Sequence, residues 1–334
     1  MKTHKHLLLL VIFCGPSWAQ TTPAEPAASA PKTSALSFPV KPIRFVVPFP
    51  PGGSNDVLSR AVALGLSHQM GQQVVIDNRP GAGAMIGAEN VAKSAPDGYS
   101  ILNVQGSFST NAAIRKKLPY DPLTDFTFVG MMATGPMILI VHPSMPVKNL
   151  KELLALAKAK PGEINYASTG SGGINHLATE LLRRTTGINI VHVPYKGAVP
   201  ALTDLMGGHT QLFVTSLPSV LPQVQAGRLK ALAVTGSRRN SFAPAIPTVS
   251  ESGVPGYVVE LWWGIAAPAK TPNDILNRLA ANLVKVLQLP DTKERFAREG
   301  AEPEAMSREA FTEFVRKDIA RWRQVVREAG LQQD

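Results

Sequence analysis

Short apolar runs alternate with helix-length amphipathic segments along most of this 334-residue chain, and no single motif restricts the fold as much. Runs suited to buried strands fall at 43–48, 73–77, 99–104, 137–142, 189–193, 211–215, 230–235 and 262–266. The segments between them carry helical periodicity. Asn149 followed by Glu152 is a helix-opening pair, Leu150, Leu153, Leu154 and Ala157 mark one face, and Pro161-Gly162 ends the helix. A second apolar face runs through Ile275, Leu279, Leu283, Val286 and Leu287, and a third through Phe311, Phe314, Val315, Trp322 and Val326. Strands and helices in this order predict an α/β protein with largely parallel sheets. No internal repeat is visible.

The first residues indicate export. Lys2, His4, Lys5 and His6 precede the apolar run Leu7 to Phe13, and Ser17-Trp18-Ala19 gives a small-x-small cleavage pattern, so residues 1–19 read as a signal peptide. The run is well short of the ~20 residues that a spanning helix needs. Cys14 is the one cysteine, and bulky Phe13 before it argues against lipid attachment. The mature chain would have no cysteine, so its stability must come from its core alone, which about 315 residues can supply, with room for two domains. Residues 20–37 are rich in Ala, Pro, Ser and Thr and read as a disordered tether.

Formal net charge is +10, which suits a basic exported protein with mild attraction to anions. Nucleic-acid binding is disfavoured. Arg115-Lys116-Lys117 is the one basic run of three, and aromatics, at 6%, do not interleave with basic residues.

Two glycine-rich loops stand between a strand and a helix. Pro48-Phe49-Pro50-Pro51-Gly52-Gly53-Ser54-Asn55-Asp56 follows the first apolar run, and Tyr166 to Leu177 contains Ser168-Thr169-Gly170-Ser171-Gly172-Gly173 and His176. Glycines let backbone N–H groups approach a ligand and the helix dipole favours negative charge, so each loop reads as an anion pocket without a catalytic side chain. Hydrogen bonds to a charged group contribute about 1.5–3 kcal/mol each, so several loop amides can support micromolar binding, which needs about 8 kcal/mol, without a buried cation.

Rival chemistries are weaker. Ser171 with His176 could form a hydrolase pair, but Thr169 stands where G-x-S-x-G requires glycine. Gly81 to Gly87 is mis-spaced for dinucleotide binding and reads as a structural turn that lets a helix pack closely. His68, His142, His192 and His209 show no paired spacing, so neither a metal nor any other cofactor is expected. Asp56 reads as a helix cap and Asp97 as part of a Pro-Asp-Gly turn. Asp204 reads as structural, and Arg79 and Lys196 as loop-bracing residues.

The ordered set of motifs resembles the Bug-type receptors of the tripartite tricarboxylate transporter family. The resemblance rests on Lys41-Pro42-Ile43-Arg44 through Gly53 and Asp56, Asn78 to Gly83, Pro96 to Tyr99, Leu118 to Pro122, and Tyr166-Ala167-Ser168 with Gly170, Gly172 and His176-Leu177. It continues through Val193 to Gly197, Ala231 to Thr235, Ile246-Pro247-Thr248, Trp263-Gly264 and Ala267-Pro268. Ala84 departs from a common family glycine.

The resemblance implies a two-lobed periplasmic binding protein fold, type II-like, with two doubly wound domains joined by two crossover segments. Lobe one would be 38–137 plus 262–334 and lobe two 138–261. It also implies that a small carboxylate is held in the cleft, mainly by backbone amides and waters, for delivery to membrane subunits. Candidate contacts are Phe49, Gly52, Gly53, Ser54, Asn55 and Asp56 on one side. On the other they are Ser168, Thr169, Gly170, Ser171, Gly172, His176 and Tyr195, with Ser107 and Thr215 added at strand ends. A periplasmic monomer without enzymatic activity is expected, and a ligand sensor for a membrane regulator is the alternative use of the same closure.

Overall fold

The computed structural model describes residues 38–195, 198–217 and 219–332. The predicted signal peptide, the tether and Lys196 lie outside the described residues. In chain order the first elements are β1 (Ile43–Val47), α1 (Ser54–Met70), β2 (Val74–Asn78), α2 (Met85–Ala92), β3 (Ser100–Gln105), α3 (Gly106–Ile114) and β4 (Phe126–Val141). Then follow α4 (Leu150–Ala159), β5 (Asn165–Ser168), α5 (Ile174–Thr186), β6 (Val191–Pro194), α6 (Ala198–Met206), β7 (Leu212–Ser216), α7 (Leu221–Gln225) and β8 (Lys230–Val234). The chain closes with β9 (Glu260–Pro268), α8 (Asn273–Gln288), α9 (Pro290–Arg298), β10 (Glu302–Pro303) and α10 (Arg308–Ala329).

The strands run in the order β2-β1-β3-β9-β4-β7-β5-β6, with β8 and β10 also on β4. β4 belongs to two sheets. Its residues 126–136 pair with β9, and 137–141 pair with β7 and β8. The expected parallel pairing holds for β1 with β2 and β3, and for β5 with β6 and β7. The centre is different. Every pairing of β4, and that of β3 with β9, is antiparallel, so the sheets are mixed and not largely parallel. The reason is connectivity: β4 carries the chain from the first sheet into the second and β9 brings it back, so the two must run in opposite directions.

Both faces of each sheet are covered. Leu58, Val62 and Leu66 of α1 and Ile275, Leu279, Leu283, Val286 and Leu287 of α8 pack with Ile43 and Phe45 on one face of the first sheet. Its other face buries Leu102, Val104, Phe108, Phe126, Phe128, Phe311, Val315 and Ile319. The predicted α8 face is therefore the buried one, and each such side chain contributes about 1.5–3 kcal/mol. The second sheet buries Leu139, Val141, Tyr166 and Val214 with Leu150, Leu153, Leu177 and Leu182, and the same cluster contains Trp322, Val325 and Val326. α10 thus supplies its first half to the core of one sheet and its second half to the core of the other. The predicted Asn149 cap is present. Its side chain accepts the Glu152 N–H at 2.9 Å, and Glu152 reaches back to the Lys148 N–H at 2.7 Å.

The crossing point is braced by Thr235, which is fully buried. Its hydroxyl accepts the Met137 N–H at 3.0 Å and donates to the Val259 carbonyl. Gly81 to Gly87 forms the expected structural turn. A Cβ on Gly87 would lie 2.7 Å from Pro48 Cβ, so the glycine lets α2 approach the first loop. Ala84 holds φ 81°, in the left-handed region, which explains why glycine suits that position.

Candidate functional site

The loop from 49 to 56 is shaped from below by one carboxylate. Asp56 Oδ2 accepts the Gly52 N–H at 3.0 Å and Arg60 Nε at 2.9 Å, while Oδ1 accepts Asn78 Nδ2 at 2.9 Å. Asn78 also donates to the Phe49 carbonyl at 3.1 Å, tying the loop to the end of β2. Asp56 is not the cap that the sequence suggests. Gly53 is the N-cap and makes no side-chain cap, and Asp56 reaches back from the first turn. Burial pulls the Asp56 pKa upward, but bonds from Arg60, Gly52 and Asn78 outweigh it and hold the carboxyl below the usual range. Its two oxygens are thus both engaged in shaping the loop.

That arrangement selects which amides remain. Gly52 is bonded to Asp56, whereas the N–H groups of Gly53, Ser54 and Asn55 have no hydrogen-bond partner among the described residues. They lie at the N-terminus of α1, where anions are favoured. The side chains are also set. Ser54 Oγ donates to Glu299 Oε2 at 2.7 Å, and Asn55 Oδ1 accepts Trp263 Nε1 at 2.8 Å. The Gln105 side chain accepts the Ser107 N–H at 3.0 Å and so caps α3.

The second loop rests on a stack of rings. His176 lies 3.9 Å from His192 with an 11° angle between ring planes, and His192 lies 5.0 Å from Tyr166. The Gly172 N–H donates to His176 Nδ1 at 3.0 Å, and Ser168 Oγ meets His192 Nε2 at 2.6 Å. Gly170 donates to Ser168 Oγ at 3.2 Å, and Thr169 Oγ1 donates to Asn175, whose amide in turn reaches the Val214 carbonyl. The amides of Thr169 and Ser171 have no partner among the described residues. Gly172 holds φ 82°, and a Cβ there would lie 2.6 Å from Ile114 Cδ1, so glycine is required twice over.

Tyr195 donates its N–H to the Ser168 carbonyl and its hydroxyl to Asp204, 2.6 Å away. Burial and that carboxylate push the phenol up to about 12. Thr215 is buried in β7 opposite Ile138. Pro48, Phe49, Gln105 and Ser107 line one small cavity, and a Cβ on Gly106 would lie 3.8 Å from Ile174 at the start of α5. The 105–107 turn therefore adjoins both loops, which share no hydrogen bond with each other among the described residues.

No hydrogen bond joins Ser171 to His176 among the described residues. The His176 ring instead accepts the Gly172 N–H at Nδ1 and stacks on His192. Sequence spacing also failed to show that His176 and His192 meet, because they lie on different elements. The described residues contain no group of three or more metal-ligating side chains, and no helix among them is long and apolar enough to cross a membrane. Arg79 pairs with Asp77 at 2.7 Å, as expected of a loop-bracing residue, and Asp97 accepts the Tyr99 N–H at 3.0 Å, as a turn residue does. Asn78, Gln105, His192, Trp263 and Glu299 were missing from the sequence-derived site. Gln105 is a local cap two residues from Ser107, whereas the other four act on a loop from elsewhere in the chain, and no local pattern announces such partners.

The stacked histidines predict a pH effect. Burial, then the neighbouring His192, lowers the His176 pKa to about 4 from 6.5. The folded chain therefore resists a proton that the unfolded chain accepts, so stability is complete above about 6.5 and falls as pH drops towards about 4. Urea denaturation across that window should show a shallower loss in His176→Asn, which keeps an acceptor and does not titrate. An unchanged slope would remove His176 as the cause.

A fold of two doubly wound sheets joined by crossover strands, with a helix-entry loop on each side of the junction, defines a two-lobed solute-binding protein. The family model described as the tripartite tricarboxylate transporter family receptor matches residues 58–331, and the chain belongs to that family. Protein BugT of Bordetella pertussis is 39% identical over 306 residues, covering 91% of this chain and 94% of that protein. The solved structure of Rhodopseudomonas palustris Rpa4515 with adipate superposes with TM-score 0.78 at 37% identity, covering 88% of this chain and 98% of that one. MatC from Rhodopseudomonas palustris with bound malate gives TM-score 0.75 at 31% identity, covering 86% and 100%. The family is described as one of receptors, and the chain is a receptor and not an enzyme.

Proposed function

We propose that the protein is a periplasmic receptor that closes around a small mono- or dicarboxylate and delivers it to the membrane subunits of a tripartite transporter. The observation that carries this reading is the pair of helix-entry loops with unpartnered amides, at Gly53 to Asn55 and at Thr169 and Ser171. Donors of this kind need no buried cation to hold a carboxylate. Adipate on one relative and malate on another support the same ligand class. The leader-like first 19 residues support export, and β4 and β9 are suited to act as the hinge strands. Lobe one is assigned to 38–137 plus 262–334 and lobe two to 138–261, with the last turns of α10 packed on lobe two. The receptor is assigned as a monomer.

A thermal-shift panel of carboxylates tests the reading. A ligand at about 100 times its Kd should stabilise the protein by about 2.7 kcal/mol. A melting temperature raised by neutral or cationic compounds, and by no carboxylate, would refute it.

A further inference from the structure

Glu299, just beyond α9, places a negative charge beside an anion-binding loop. Its Oε2 accepts the Ser54 hydroxyl at 2.7 Å, although Ser54 is 245 residues away in sequence. Its other oxygen has no hydrogen-bond partner, and no basic side chain pairs with it, among the described residues. The site is at the junction of the sheets. A Cβ on Gly135 of β4 would lie 3.2 Å from the Gly300 carbonyl, and Arg298 and Gly300 share a cavity with Leu217, just after β7, and Leu221 of α7.

The next residue is also fixed. An indole N–H can only donate, so Trp263 Nε1 at 2.8 Å dictates that the Asn55 side chain turns its oxygen towards the ring. The Asn55 Nδ2 group is then a donor with no partner among the described residues. The lip of the first loop therefore presents donors from Gly53 to Asn55 and, through the Ser54 hydroxyl, an unneutralised acceptor immediately beside them.

We infer that Glu299 is a specificity-determining residue, which selects ligands carrying a hydrogen-bond donor close to their carboxylate and rejects a second carboxylate at that position. The inference rests on the carboxylate-receptor reading and narrows it. Ser54 carries both an amide available to the ligand and the hydroxyl that touches Glu299, so the donor must lie within a few bonds of the carboxylate, as in a 2-hydroxy or 2-amino acid. An uncompensated carboxylate a few ångströms away repels a second negative charge and accepts from a hydroxyl or ammonium.

Calorimetric titration of wild-type protein and Glu299→Gln with propionate, lactate, alanine, malonate and their homologues up to six carbons tests this. Lactate and alanine separate a hydroxyl from an ammonium as the preferred donor. In wild type, acids with a donor should outrank the plain and doubly charged acids of equal length. In Glu299→Gln the short dicarboxylate should bind about tenfold tighter relative to the plain acid, and the donor-bearing acid about tenfold weaker. Glu299→Ala, which also breaks the Ser54 bond, should move the dicarboxylate in the same direction, separating charge from loop geometry. An unchanged rank order in both variants overturns the inference while leaving the receptor reading intact. Binding of no carboxylate by any of the three proteins overturns the receptor reading and this inference with it.

Discussion

Gly264→Ala should destabilise the protein by about 3 kcal/mol or more, among the largest effects expected of a single methyl group. Gly264 lies in β9, and a Cβ there would sit 2.2 Å from Phe311 Cζ and 2.9 Å from the Gly130 carbonyl. Neither neighbour can retreat. Phe311 is fully buried, with ring centroids of Phe128 at 5.6 Å and Trp262 at 5.8 Å, and Gly130 is backbone of the adjoining strand. Overpacking elsewhere is relieved by side chains that swing away, and this site has none. Thermal denaturation should show the melting point falling by several degrees, on the order of 6 °C. Phe311→Leu in the same chain should recover part of the loss, so the two changes should be less than additive. A melting point within about 1 °C of wild type for Gly264→Ala would show that the β9–α10 contact is softer than its geometry implies.

Asp56→Ala should damage stability and ligand binding together. The substitution removes the acceptor of the exposed Gly52 N–H and one of the two acceptors of Asn78 Nδ2, which keeps the Phe49 carbonyl, at a stability loss of about 1–3 kcal/mol. Arg60 adds little, because its side chain is half exposed. The released Gly52 amide no longer fixes the turn that aims Gly53, Ser54 and Asn55, so carboxylate affinity should fall at least about tenfold. Asp56→Asn keeps an acceptor for one donor and sets an amide against the other, so it should lie between. Calorimetry gives the decisive number. A Kd for Asp56→Ala within about twofold of wild type would show that the loop holds its shape without the carboxylate.

The parts of this molecule legible in sequence are those determined by neighbours in the chain. The α8 stripe, the Asn149 cap and the two glycine-rich helix entries follow from local periodicity and turn chemistry, and each is present. The first two-thirds of β4 was not legible. Gly130, Gly135 and Pro136 make that stretch read as loop, and irregular pairing near Phe128 and Met131 disturbs the alternation that identifies a strand. Those glycines are there for packing. A Cβ on Gly130 would lie 3.2 Å from Leu283, and Gly135 is similarly close to Gly300. β5, four residues long, was absorbed into the loop that follows it. The same limit applies to the site. The loops were found by composition, but Trp263 lies 208 residues from Asn55, and His192 lies 24 from Ser168. Their roles exist only once the fold has brought them together.

The sharing of β4 and α10 has a consequence for how this chain can be divided. One strand completes both sheets, and one helix of 22 residues places Phe311 in one core and Trp322 in the other. Neither lobe owns all the residues of its own interior. The boundary between the two sheets is therefore not a boundary between two inheritable modules, and a gene cut along it would leave both products with an open core.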